Sequence, residues 1–256
     1  MMARKLPHTG LLPDSLPTAV LTCGDPERAA QVAGYFEDAV CLAQQREYHT
    51  YQGRYRGRPV AVCSHGIGAP GAAIAFEELI AAGARQLLRV GTCGSLQPHV
   101  RPGDLVVAVA AVQHTGYGRE AAPPGYPAIA DLNLTQALRQ GVQAGGHPHH
   151  SGLVLTRDAF FAGTPTAYAP DYAALSAANV LAVEMECAAL FLVGSLRRVA
   201  TAAILAVNGS VLEKPEDMDT FAAFETVVAT AVRAGIEAAL ETFVAIEDGR
   251  LTEHKI

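Results

Sequence analysis

The chain has 256 residues, 50% of them apolar and only 17% charged, which excludes a disordered protein and leaves enough chain to bury a full core. A formal net charge of -6 argues against a nucleic-acid binder that works through bulk positive charge, though not against a small anion held by a few local cations. Only Lys5, Lys214 and Lys255 of the 19 basic residues are lysine; the rest are arginine, whose planar fork grips phosphate or carboxylate through paired hydrogen bonds.

In chain order, residues 18–23, 59–64, 86–90, 104–112, 152–156 and 202–207 are short β-branched and aliphatic runs that predict strands. Alanine-rich stretches with helical spacing lie between and after them, at 72–82, 132–144, 183–196 and 220–247. In the last, Phe221, Phe224, Val228, Val232, Ile236, Leu240 and Phe243 recur at steps of three and four and form one apolar stripe. Strands alternating with helices predict an α/β fold with a largely buried sheet. No repeat and no linker divides the chain, so a single domain over 1–256 is expected. Two loops rich in turn residues, 117–127 and 209–219, are candidate covers for a site, although plain surface connections are commoner. The N-terminal stretch has prolines and no apolar run suited to a signal peptide, and no run approaches the ~18 apolar residues of a membrane span. A cytoplasmic protein is therefore expected. The five cysteines (Cys23, Cys41, Cys63, Cys93, Cys187) are odd in number and widely spaced, without a CxxC pair, so neither a disulfide framework nor a zinc site is suggested. Cys23, Cys63 and Cys187 read as small buried hydrophobes. His147-Pro148-His149-His150 reads as a solvated loop rather than a metal tract.

Three glycine corners follow strands. In Gly24-Asp25-Pro26-Glu27-Arg28, Asp25 suits a helix N-cap and Pro26 the first helical position. The stretch serves either as a well-capped turn or as an anion site with Arg28 one turn on. In His65-Gly66-Ile67-Gly68-Ala69-Pro70-Gly71, the glycines satisfy G-x-G-x-x-G between strand and helix, which makes a nicotinamide-dependent oxidoreductase a competing function. Pro70 removes an N–H from that turn, and no acidic residue between Glu78 and Asp104 is available for the ribose. The third corner, Arg89-Val90-Gly91-Thr92-Cys93-Gly94-Ser95, puts an arginine inside an apolar strand, where it must meet an anion, either a ligand or a carboxylate of the protein. Glu184-Met185-Glu186 sets two carboxylates in an apolar stretch, as partners for arginine or as acceptors for sugar hydroxyls. Phe160 and Phe161 offer an aromatic face or, more commonly, core packing.

Taken in order, Gly24-Asp25-Pro26 with Arg28, Arg46-Glu47-Tyr48, the segment 64–79, Arg89-Val90-Gly91-Thr92 and Val183-Glu184-Met185-Glu186 resemble the nucleoside phosphorylase family of hexameric purine nucleoside phosphorylases and uridine phosphorylases. The resemblance spans essentially the whole chain, and the stretch 192–199 looks like that of the purine enzymes of malaria-type parasites. It implies a central twisted mixed sheet, partly barrel-like and flanked by helices, and phosphate-dependent cleavage of a nucleoside's N-glycosidic bond. It further implies that Gly24, Arg28, Arg89 and Thr92 bind phosphate, joined by Arg46 of a neighbouring subunit. Glu184, Met185 and Glu186 would hold the ribose with a partner's His8, and Phe160 would stack near base or sugar. A homohexamer built as a trimer of dimers, with phosphate as co-substrate and neither a cofactor nor a metal, completes the implication.

Two departures bear on the base. Where purine members carry an aspartate acid this chain reads Asn208, whose amide donates a hydrogen bond but no proton. Where uridine members read the pyrimidine with glutamine and arginine it reads Thr164 and Thr166. The reading leans to 6-oxopurine nucleosides, with uridine as the alternative. A hydrolytic nucleosidase and a catalytically weak nucleoside-binding relative are further alternatives.

Overall fold

The computed structural model describes residues 4–161, 164, 166–212 and 226–249. The elements run β1 (Ala19–Cys23), α1 (Pro26–Ala33), β2 (Glu37–Gln45), β3 (Tyr48–Tyr55), β4 (Arg58–Ser64), α2 (Ala69–Ala81), β5 (Gln86–Ser95), β6 (Leu105–His114), α3 (Gly116–Ala121) and β7 (Ala128–Ile129). They continue α4 (Leu132–Ala144), β8 (His149–Arg157), α5 (Tyr172–Ala177), β9 (Val180–Glu184), α6 (Cys187–Arg197), β10 (Ala200–Ser210) and α7 (Thr226–Glu247).

The expected α/β architecture is present, and the barrel-like part has a definite cause. The sheet runs β10-β6-β8-β9-β5-β1-β4-β3-β2, and β10 also pairs with β5, so five strands close on themselves while β1, β4, β3 and β2 extend from β5 as an open wing. The mixture is real: β1, β4, β5 and β10 run parallel, whereas β6 against β10, β9 against β5 and the β2–β3–β4 meander are antiparallel. One edge of β5 is split. Its pairing with β1 ends at Thr22–Arg89, and its pairing with β9 begins only at Gly94–Val183. Residues 90–93 therefore have a ladder partner on the β10 side alone.

Helices cover both faces. Phe76 and Leu79 of α2 and Phe191 and Leu192 of α6 are fully buried on one face with Val20, Ala61 and Leu87. Ile236, Leu240 and Phe243 of α7 and Leu134 and Leu138 of α4 pack on the other with Leu21, Val62 and Leu88. The predicted stripe of the last helix is thus real from Val228 onward, while Phe221 and Phe224 lie outside the described residues.

The six predicted strands are all found, most of them longer. Strand β5 continues to Ser95 because β10 pairs with it all the way. Residues 183–184, expected to open a helix, finish β9, and the helix starts at Cys187. His149 and His150 lie in β8 rather than in a loop. Strands β2 and β3 had no hydrophobic signature: β2 is exposed along nearly its whole length. Among the described residues no helix is long and apolar enough to cross a membrane.

Candidate active site

The three corners converge where β1, β4 and β5 end on the face covered by α2 and α6. The first is capped as its sequence predicts: Asp25 accepts from the Glu27 N–H at 2.8 Å and Pro26 opens α1. It is tied to the second corner by two backbone bonds, from the His65 N–H to Cys23 O at 2.8 Å and from the Gly66 N–H to Gly24 O at 2.9 Å. A Cβ on Gly24 would stand 3.1 Å from Gly66 O, so this close approach favours glycine. Arg28 is half-buried on α1, close enough for its charge to be felt at Cys23 and His65.

Arg89 dominates the cleft. It is 4% exposed, and its Nη2 makes a short ion pair with Glu186 and lies 3.7 Å from Glu184. Its Nε and Nη1 are buried with no hydrogen-bond partner among the described residues. The carboxylate reading of the strand arginine is the one seen: one edge of the fork meets Glu186, while Nε and Nη1 are buried without a partner among the described residues. Burial works against its charge, but the carboxylates of Glu186 and Glu184 carry its pKa above the ordinary arginine value. The guanidinium lies over Gly91, where a Cβ would come within 1.8 Å of Nη1. Gly91 thus makes room for the Arg89 guanidinium, which its sequence role as corner glycine does not reveal. Thr92, half-buried, follows on the split edge of β5.

The two carboxylates have different duties. Glu186 accepts from the Gly68 N–H at 2.6 Å and from Arg89. Burial opposes its charge, yet Arg89 and that N–H hold it below the usual carboxylate range. The pairing also occupies the N–H of the second glycine of the G-x-G-x-x-G turn, as Gly24 O does that of the first, leaving both unavailable to a pyrophosphate. Glu184 turns inward. It accepts from the N–H groups of Glu186 (2.8 Å) and Cys187 (2.9 Å) and from the Thr156 hydroxyl, and so caps α6 from two residues upstream. Burial raises its pKa, against the pull of Arg89. Met185 is half-buried between them.

Asn208 occupies a bulge in β10, where the register against β5 shifts between Val207 and Gly209. The extra residue has no Cα partner on β5 and is half-buried beside Cys93 and Gly94. Phe160 follows the end of β8 and packs edge-on against Phe161 at 5.0 Å. Thr164 and Thr166 are exposed beyond it, with Thr166 Oγ1 accepting from the Tyr168 N–H at 3.2 Å.

Two predicted residues stand apart from this cluster within the protomer. Arg46 is exposed at the tip of the β2–β3 hairpin with a left-handed φ of 55°. His8 donates its backbone N–H to Glu78 at 3.0 Å, and its Nδ1 lies 2.7 Å from the same carboxylate. Glu78 is ten residues beyond Gly68 along α2, about 15 Å at the helical rise. His65 and Thr22, to which the sequence assigns no role, are buried with polar atoms that have no partner among the described residues. An open cleft of about 770 Å³ between α4 and α7, with Tyr55, Gln140 and Glu241 in its wall, shares no residue with the cluster. Among the described residues no group of three or more histidine, cysteine or acidic side chains is placed to hold a metal.

A profile of the Phosphorylase superfamily matches residues 18–244. A uridine phosphorylase of Treponema pallidum is 37% identical over 238 residues, 90% of this chain and 92% of the relative. A purine nucleoside phosphorylase of Plasmodium falciparum is 34% identical over 213 residues, 81% of this chain and 84% of the relative. Among solved structures, the purine nucleoside phosphorylase of Toxoplasma gondii in complex with immucillin-H superposes with a TM-score of 0.87 at 33% identity, covering 94% of this chain and 96% of the other.

Proposed function

The chain belongs to the phosphorylase superfamily, in its nucleoside phosphorylase branch, and from that membership we propose that it cleaves 6-oxopurine nucleosides with inorganic phosphate, giving free base and (deoxy)ribose 1-phosphate. The observation that carries the phosphate half is Arg89, with two buried N–H-bearing nitrogens lacking a partner among the described residues at the convergence of three glycine corners. A buried donor left unpaired costs roughly 1–3 kcal/mol, and an anion in the cleft removes that cost.

In this reading phosphate sits against Gly24, Arg28, Arg89 and Thr92. Glu186 and Met185 hold the ribose, and Phe160 packs near base or sugar. Glu184 serves the ribose indirectly, by fixing the start of α6 and hence Glu186. A phosphate oxygen forms the new C1′–O bond while the C1′–N bond breaks and its electron pair leaves with the base. The sugar passes through an oxocarbenium-like state whose positive charge the bound anion stabilises. Asn208 donates its amide hydrogen bond to the departing purine. Thr164 and Thr166 lack the charge and the amide with which a pyrimidine would be read.

Arg46 and His8 act on a partner's site. Their separation from the cluster within the protomer supports this, as does the exposure of Val40 (53%) and Leu42 (39%) on the same β2 strand that leads to Arg46. An assembly with shared sites, a hexamer as a trimer of dimers, follows from the same reading. Phosphate is the co-substrate and no cofactor is invoked.

Uridine cleavage is the second reading, favoured by the Treponema pallidum relative at 37% identity. Base release from inosine, guanosine, uridine and thymidine, each with and without phosphate, separates the two. Phosphate-dependent release from inosine and guanosine is expected. Equal release without phosphate points to hydrolysis, and release from uridine alone moves the assignment to the pyrimidine. Asn208→Asp should raise purine turnover; no gain counts against Asn208 as the base contact.

A further inference from the structure

Three buried side chains around the cleft hold polar atoms with no partner among the described residues: Thr22 Oγ1, His65 Nε2, and Nε and Nη1 of Arg89. The arginine nitrogens only donate, and a threonine hydroxyl is free to donate. His65 differs. Its Nδ1 lies 2.9 Å from Gly66 O, and because a carbonyl only accepts, Nδ1 carries the hydrogen and Nε2 is a bare lone pair. The ring is fully buried, edge-on to Phe76 of α2 with centroids 5.4 Å apart. Its Cε1, the carbon between the two ring nitrogens, lies 3.9 Å from where a Cβ on Gly24 would stand. The ring thus packs beside the first glycine corner with its acceptor buried and unpartnered among the described residues, within electrostatic reach of Arg89 and Arg28. Burial and the charges of Arg89 and Arg28 push its pKa down to about 4, with Glu186 opposing them.

We propose that His65 is a specificity residue of the anion site: Nε2 accepts the P–OH hydrogen of monohydrogen phosphate, so that the site takes oxyanions that retain a proton and refuses sulfate, which has none to give. The inference rests on the phosphate reading above and adds its selectivity. Every other group assigned to the anion offers hydrogens and would hold sulfate as readily. One fixed acceptor breaks that symmetry, because a sulfate oxygen opposite it leaves two lone pairs facing each other without a proton. Sites built around one substrate hydrogen discriminate strongly against analogues lacking it. Holding the P–OH group on His65 also leaves unprotonated phosphate oxygens for the sugar; the P–OH bond itself neither breaks nor forms.

The test is calorimetric titration of phosphate, arsenate and sulfate into the full-length protein and into the variants His65→Phe and His65→Gln. Phosphate and arsenate should bind the native protein at least about tenfold more tightly than sulfate. In His65→Phe the preference should collapse through lost phosphate affinity, and in His65→Gln, whose amide oxygen restores an acceptor, part of it should return. Sulfate binding the native protein as tightly as phosphate overturns the proposal without requiring any variant to fold. An unchanged preference in a folded His65→Phe overturns it equally. Nucleoside cleavage is measured separately. Phosphate-dependent cleavage with equal sulfate affinity sinks only the role of His65, whereas selective phosphate binding without cleavage sinks only the proposed reaction.

Discussion

Two residues set the electrostatics of the cleft. Gly91 has no side chain so that Arg89 has room: any Cβ there meets Nη1 at 1.8 Å. Gly91→Ala should therefore swing the guanidinium out of place and lower kcat/KM for phosphate by about 100-fold, while circular dichroism stays native. An activity within a few-fold of the native value would show that Arg89 is not the phosphate anchor. His65 carries a pH signature. Its pKa falls from an ordinary 6.5 to about 4 on folding, through burial and the positive charges of Arg89 and Arg28, with Glu186 opposing them. Below pH 6.5 the unfolded chain binds a proton that the folded chain refuses. Stability is thus full above 6.5 and is lost as pH falls toward 4, by about 3 kcal/mol from this residue. Thermal melts across that window should fall more steeply for the native protein than for His65→Gln. At this scale the sequence was only half legible. An arginine in an apolar strand announces that it needs an anion. Which edge of the fork meets Glu186 and which is left without a partner among the described residues depends on how β5 and α6 are placed, and no local pattern encodes that. His65 precedes the G-x-G-x-x-G run with nothing local to mark it, because its burial against Phe76 comes from tertiary packing.

At the scale of elements, α6 starts where a carboxylate three positions earlier makes it start. Its first N–H is taken by Glu184, and the next, on Ala188, is taken by Thr156 Oγ1 at 2.9 Å. Glu184→Ala leaves the N–H groups of Glu186 and Cys187 unpaired in the interior. A loss of about 3 kcal/mol is expected, a drop of roughly 10 °C in Tm, with Glu184→Gln milder because it keeps one acceptor oxygen. Equal melting temperatures for Glu184→Ala and the native chain would refute the capping role. Sequence reading assigned this residue to the ribose and ran the helix back to residue 183, because the apolar stretch is continuous through strand and helix and its period does not mark the change. The β2–β3 hairpin was missed for the opposite reason. Its outer strand is solvent-exposed in the protomer and shows no clean alternation, so neither period stands out. The bulge at Asn208 left no trace in sequence either, since it arises from how β10 must follow β5.

At the scale of the whole molecule, alternating aliphatic runs and alanine-rich helices were enough to read the α/β class, but not the β5–β10 pairing that closes five strands, a contact between residues more than a hundred positions apart. The proposed sharing of sites between subunits makes its own prediction. If Arg46 serves a partner, a chain with Arg46→Ala and a chain with Glu186→Gln are each inactive alone. Together they complement, because a mixed dimer rebuilds one complete site from Glu186 of one subunit and Arg46 of the other. Random pairing of equal amounts should restore about a quarter of native activity. No recovery in verified mixed dimers would place Arg46 outside the site.

The split edge of β5 has a consequence for how the chain can vary. The first strand stops at Cys23, and its ladder with β5 stops at Arg89, which keeps residues 90–93 open on that side. A β1 two residues longer would add ladder bonds, stiffen the sheet and fill the gap beside Thr92. Thermostability and turnover would then move in opposite directions. The length of that strand, ended by the Asp25 cap and Pro26 of α1, therefore decides whether the edge of β5 beside Thr92 stays open. A search for more robust variants should leave it as it is and work on the α4–α7 face.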